Sequence, residues 1–255
     1  MSYAMRDSAT MLRRNLTHLR RYPSMMIMAL GMPVLLLLLF AEVFGGAMQA
    51  GVRDGAYVDY LVPGILLMTV GYGASMTALA VNRDMTEGII SRFRTMAIAR
   101  VSVLTGHVLG AVLRTVVSAT LVVGVALLFG FRPAAEPGGW FATLGLVVLL
   151  ALALTWPAVG VGLAAKNAEG ANLFILLVQV LPFLSSAFVP TDTMSGAVRW
   201  FARHEPFTPV IDTLRGLMLG TPVSGSVWIA VAWCAGFAVV GYVWARALFR
   251  RDPAS

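Results

Sequence analysis

The chain has 255 residues, of which 58% are hydrophobic and only 12% charged, with a mean hydropathy of +0.81 and a formal net charge of +7. A soluble domain carries about 25% charged residues, so charges this sparse exclude a water-soluble fold and place the protein in a membrane. Lys166, the single lysine, lies between Ala165 and Asn167, which excludes a Gly-Lys-Ser/Thr phosphate loop, and the lone Cys234 excludes an internal disulfide or a cysteine-built metal cluster.

Within residues 1–22, Met5, Ala9, Leu12, Leu16 and Leu19 recur at steps of four and three and form one helical stripe, with Arg6, Arg13, Arg20 and Arg21 off it. This predicts an amphipathic helix lying in the membrane interface. The apolar run that follows is about 20 residues, longer than the core of a cleaved signal peptide. Crossing the hydrocarbon core takes about 20 apolar residues. Six runs qualify: Pro23–Phe44, Tyr60–Val81, Val103–Gly130, Trp140–Ala165, Asn172–Val189 and Val227–Leu248. They lack the alternation of barrel strands, so they are read as helices. The expected architecture is an all-α, six-helix membrane domain over residues 23–248, followed by a short tail at 249–255. With the N-terminus inside, thirteen basic residues fall on the cytoplasmic side and five outside, which puts both termini in the cytoplasm. The pI near 10.3 is then a topology signal and implies no nucleic-acid partner.

The cytoplasmic segment between the second and third runs places Ile89, Phe93 and Met96 on one helical face, with Arg92 and Arg94 elsewhere. An aromatic anchor flanked by arginines suits a groove on another protein. Arg114, inside the third run, is read as a structural arginine close enough to the cytoplasm to snorkel. Glu42, the only acidic residue within a run, lies one turn from its outer end. Trp156 and Gln179, beside the helix-loosening Pro157 and Pro182, are candidates to line a translocation path, together with Phe183 and Phe188. In the outer segment, apolar residues at helical spacing are broken by Pro206 and Pro209 into two short helices. They are expected to dip into the outer leaflet and form a gate that includes Phe201, Pro206, Thr208 and Leu214. Gly73-Ala74-Ser75 superficially resembles the serine motif of intramembrane proteases, but His107 lies near the cytoplasmic end and His18 and His204 lie outside the runs. Gly71, Gly73 and Ser75 are therefore read as a packing face, and no catalytic or metal-binding residue is assigned.

The motif Glu87-Gly88-Ile89-Ile90-Ser91-Arg92-Phe93-Arg94-Thr95-Met96 resembles the signature of the ABC-2 type exporter permeases, in particular the actinobacterial daunorubicin-resistance type of membrane subunit. Phe44-Gly45-Gly46-Ala47, Gly130-Phe131-Arg132, Ala164-Ala165-Lys166-Asn167-Ala168-Glu169, Phe183–Pro190, Pro206-Phe207-Thr208-Pro209 and Leu214-Arg215 extend the likeness over nearly the whole chain. The family's usual proline is replaced by Ala97, and its usual Lys or Arg after Gly106 by His107. The resemblance implies two separate ATPase subunits that carry ATP and Mg, docked on a coupling helix formed by Glu87, Gly88, Ile89, Arg92, Phe93, Arg94 and Met96. It also implies a second permease chain, identical or related, and export of a small hydrophobic or amphiphilic compound across the plasma membrane. An ion-gradient-driven transporter and a non-transporting scaffold are the alternatives, the first weakened by the absence of midplane carboxylates. Reporter tags at Ser2, between Glu87 and Arg92, and at Ala254 should label as cytoplasmic, and tags near Arg53, Glu136 and Thr193 as external. A reversed or mixed pattern would overturn this topology.

Overall fold

The computed structural model of the protein describes residues 23–52, 55–87, 100–165, 167–223 and 225–250. The expected interfacial helix over 1–22 lies outside the described residues. So do Gly88, Ile89, Arg92, Phe93, Arg94 and Met96, Lys166, and the tail beyond Arg250.

Every regular element among the described residues is a helix, which satisfies the backbone internally where no water can. Helix α1 (Pro23–Leu38) runs on through a wide π turn, Leu39–Val43, into the short α2 (Gly45–Gln49). Then come α3 (Tyr57–Thr86), α4 (Arg100–Leu128) and α5 (Pro137–Ala164). Helix α6 (Ala168–Val180) gives way to a 3-10 turn at Leu181–Leu184, followed by α7 (Gly196–His204), α8 (Phe207–Leu219) and α9 (Ser226–Arg250). The stretches Tyr57–Thr86, Leu104–Leu128, Pro137–Ala164 and Ser226–Phe249 are long and apolar enough to cross a bilayer, and the apolar stretches Leu30–Val43 and Glu169–Leu184 are shorter. The fifth expected run, Asn172–Val189, is thus only partly an α-helix. The helix starts at Ala168, capped by the Asn167 carboxamide, whose oxygen accepts from Gly170 N at 3.0 Å. It ends at Val180 because Pro182 has no N–H with which to continue the ladder.

Helix α3 is the hub and packs against α1, α4, α5, α6 and α8. Leu61, Val62, Ile65, Leu66, Val70, Ala74 and Ala78 are at most 1% exposed, so it is apolar all round, as a central helix must be. Two of its contacts depend on glycine. A Cβ at Gly64 would lie 2.7 Å from the Ala187 carbonyl oxygen, and one at Gly162 on α5 would lie 2.6 Å from that of Ala78. Such backbone approaches are how membrane helices gain packing without a hydrophobic driving force. A smaller cluster of Val81, Leu104, Val108, Val159, Ala245 and Phe249 ties α3, α4, α5 and α9 together at the Thr86 end. Polar links reinforce it. Asn82 Nδ2 donates to the carbonyls of Ala165 (2.7 Å) and Gly162 (3.4 Å), which capping leaves free at the end of α5. His107 Nε2 on α4 lies 3.3 Å from Asp84 Oδ2 on α3, a side-chain contact that links the two helices.

Candidate functional site

Two features stand out: a groove along α6 and a polar cap at the Tyr57 end of α3. The groove, about 630 Å³, lies between α1, α3 and α6. Helix α6 supplies Glu169, Asn172, Leu176, Gln179 and Val180, and Phe183 follows it in the 3-10 turn; Met32 and Leu36 of α1 and Met68 of α3 form the facing wall. Glu169, Asn172, Leu176, Gln179 and Phe183 follow one another at three to four residues, so a single helical face lines the groove. From Glu169 to Phe183 is about 21 Å at 1.5 Å per residue. The groove is acidic and polar at one end, amide-lined further along, and aromatic at the other. Of its lining residues Leu173, Leu176 and Val180 are 63%, 58% and 46% exposed, and beside them Leu177 is 53% exposed.

Sequence reasoning named four path candidates, and the structure brings three of them together. Gln179 and Phe183 line the groove, and Phe188 lies behind Phe183 with ring centroids 4.8 Å apart and an interplanar angle of 14°. Phe40 of the π turn closes the aromatic group, 4.3 Å from Phe188. Trp156 is elsewhere. It packs edge-on against Tyr242 of α9 at 4.9 Å and borders the cluster at the Thr86 end. Arg114 is half-buried, in the middle of α4. Ser75 Oγ donates to Gly71 O at 2.9 Å and is fully buried, which fits a packing face.

The cap surrounds Arg215 on α8. Its Nη1 donates to Asp212 Oδ1 at 2.6 Å, and its Nη2 donates to the carbonyls of Ser186 (2.8 Å) and Tyr60 (3.2 Å). The guanidinium also stacks over the Tyr60 ring, 3.7 Å from its centroid, where the ring quadrupole attracts it. Tyr60 Oη donates to Ser186 O at 2.8 Å, Ser186 Oγ to Asp212 Oδ1 at 2.8 Å, and Tyr57 Oη to Phe188 O at 3.0 Å. These bonds join α8, the top of α3 and the non-helical stretch that follows Phe183. Thr208, a predicted gate residue, belongs to the same assembly, because its Oγ1 accepts from Ser186 N at 3.1 Å. Glu205 caps α8. Its carboxylate accepts from Phe207 N at 2.7 Å and from Thr208 N, and it is only 4% exposed. Burial pushes its carboxyl above the usual carboxylate range, and the two amide donors pull the other way.

The expected outer gate divides into two parts. Leu214 is fully buried among Val210, Ile211 and Met218, which also face the core. Phe201 (38% exposed) and Trp200 (65%) lie on the outward side of α7. That helix is held to its own loop by Arg199, which donates to the carbonyls of Asp192 (2.7 Å) and Met194 (2.9 Å), and by the Arg203–Asp192 ion pair at 2.6 Å. Pro206, half-buried, sets the corner between the two helices. Among the described residues, no group of three or more His, Cys, Asp or Glu side chains is placed to hold a metal ion.

Residues 7–219 match the model of the ABC-2 type transporter family. The chain belongs to that family. It is 29% identical over 259 residues to the daunorubicin resistance ABC transporter permease protein DrrB1 of Streptomyces coeruleorubidus, a match covering 96% of this chain and 89% of that protein. It is 25% identical over 227 residues to the probable doxorubicin resistance ABC transporter permease protein DrrC of Mycobacterium tuberculosis, covering 89% and 82%. It is also similar to ABC transporter G family member 20 of Dictyostelium discoideum, at 23% identity over 175 residues, 66% of this chain and 23% of that protein. Family membership and the long apolar helices make this a multi-pass membrane protein. Within this ABC-2 fold, the Arg215 cluster is the polar assembly that sequence reasoning missed. Arg215 figured there only as an outer charge and within the Leu214-Arg215 likeness, although Asp212, three residues away on one helical face, was the available signal.

Arg215→Met should lower the stability of the purified permease by about 2–3 kcal/mol, the scale of hydrogen bonds to a charged group. Arg215→Lys should lose less, because it keeps the charge while giving up the fork. Thermal unfolding followed in detergent measures this, and a Met variant as stable as the parent would remove the cluster from the account.

Proposed function

We propose that this chain is the membrane-spanning subunit of an ATP-driven exporter that carries a hydrophobic or amphiphilic drug or lipid-like compound out of the cell through the α1/α3/α6 groove. The observation that carries this reading is the groove itself, in a chain whose relatives are named as drug-resistance ABC permeases. Its polar end, at Glu169 and Asn172, would meet the amine or hydroxyls of an amphiphile, while Phe183 and the methionines take its rings.

In this reading α1 and α6 complete a six-span bundle, the termini are cytoplasmic, and α7 and α8 form a re-entrant element on the outer side. A second permease chain, identical or related, covers the exposed leucine stripe of α6 and closes the groove into a path. Two ATPase subunits hold ATP and Mg and dock on the segment from Glu87 through Met96. That segment lies between the end of α3 and the start of α4. Helix α3 has 30 residues, about 45 Å at helical rise, and it ends in Tyr57 and Tyr60 beneath the cap. Displacement at the ATPase end therefore reaches the outer end through one continuous helix. Asn82 and the Asp84–His107 pair oblige α5 and α4 to move with it.

Phe93 is the anchor of the coupling helix, and truncating a buried aromatic anchor commonly costs ~2 kcal/mol or more, about thirtyfold in affinity. Phe93→Ala should therefore insert normally, lose most of its co-purifying ATPase and abolish substrate-stimulated hydrolysis, while Arg92→Ala and Arg94→Ala do less. A Phe93→Ala chain that retains its ATPase and exports normally would move the coupling role elsewhere.

A further inference from the structure

A second cavity, about 400 Å³, lies between α3, α4 and α5, within the ~300–1,000 Å³ range of small-molecule sites. Leu66, Val116, Ala119, Val123 and Trp140 line it together with Thr143. Helix α3 gives Leu66 to this cavity and Met68 to the groove. Two residues apart, they point about 200° from each other around the helix. The cavity is thus on the far side of α3 from the groove and shares no lining residue with it.

Its walls hold two hydroxyls and no charge. Thr120 Oγ1 donates back to Val116 O at 2.9 Å. Thr69, Ser75, Thr77 and Thr213 likewise donate to the carbonyl four residues earlier, the usual way a helix satisfies a hydroxyl. Thr143 does not. It is 5% exposed, and its Oγ1 is the one buried side-chain polar atom without a partner among the described residues. An unpaired hydroxyl at such a depth is costly, and a native fold keeps one only where something else supplies the acceptor.

The level of Thr143 identifies that acceptor. Trp140, the fourth residue of α5, is the kind of side chain that sits at the headgroup boundary, and Thr143 lies about 4.5 Å deeper. There a glycerophospholipid carries its ester carbonyls, with acyl chains below. Phe141 (76% exposed), Leu144 (46%) and Leu121 (42%) form an apolar flank open to the bilayer. The absence of charged lining residues fits the uncharged part of a lipid. We infer that this cavity is a binding site for one acyl chain of a bilayer phospholipid, whose ester carbonyl accepts a hydrogen bond from Thr143.

The test compares two phospholipids with the same chains and headgroup, a diester phosphatidylglycerol and its diether analogue, which lacks the carbonyls. Both are titrated onto the purified full-length permease and counted by native mass spectrometry. The tightest-bound diester should exceed the diether by about fivefold, the value of one hydrogen bond. Thr143→Val should erase that ratio, Thr143→Ser should keep it, and Ala119→Phe, which fills the cavity, should remove the binding step. Equal diester-to-diether ratios in the parent and Thr143→Val would overturn the inference, even if Ala119→Phe failed to fold. An amphiphilic amine that displaces the lipid one for one would overturn it too, by assigning the cavity to cargo.

Discussion

Lipid supplies no hydrogen-bond partners, and the structure is arranged around a stretch of chain that leaves the α-helix while packed among helices. After Val180 the backbone turns through the 3-10 segment Leu181–Leu184 and runs on, with one more 3-10 turn at Thr191–Thr193, to Ser195 before α7 begins. Backbone that leaves the helix inside a membrane protein must be satisfied by protein groups. The carbonyls of Ser186 and Phe188 are met by Arg215, Tyr60 and Tyr57, and the Ser186 amide by Thr208. The partly buried Arg215 charge is compensated by Asp212 and by the Tyr60 ring, as a cation drawn out of water requires. This one arrangement fixes where α8 sits, holds the aromatic end of the groove in place and anchors the top of α3.

It follows that α7 and α8 form a roof tied to a beam, the Tyr57 end of α3. Helix α8 is buried over most of its length, and of these two helices α7 is the one that presents aromatic residues outward. An outer opening of the groove would therefore break the Arg215 contacts or carry α3 with it. The second course suits the proposed mechanism, because α3 is also locked to α4 and α5 at its other end by Asp84–His107 and Asn82. The cavity at Thr143 lies on the opposite side of the same beam from the groove, where a bound chain would pack against α3.

Much of this was legible in the sequence because lipid imposes simple rules. Long apolar runs gave α3, α4, α5 and α9 to within a few residues, and the Glu87–Met96 motif pointed to the family that residues 7–219 match. The fifth run misled because hydropathy continues through Pro182 although the helix does not. Leu214 and Phe201 look equivalent as apolar residues on short helices, and only tertiary packing separates a fully buried side chain from a surface one. Trp156 carries the composition of a path residue but meets Tyr242 across α9, a pairing invisible at a separation of 86 positions. The Arg215 cluster joins residues near 60, 186 and 212, and no local pattern announces carbonyl acceptors. Thr143 is set apart only by a bond it does not make.

Arg215 and the tyrosines at the start of α3 hold the backbone of 181–195 in place. Amide hydrogen exchange, read by mass spectrometry on the permease in lipid nanodiscs, tests it most directly. In Arg215→Met the peptides covering 181–195 and α8 should exchange faster than in the parent, while those covering α5 and α9 keep their protection. Unchanged protection across 181–195 would contradict the account and leave the roof held by apolar packing alone.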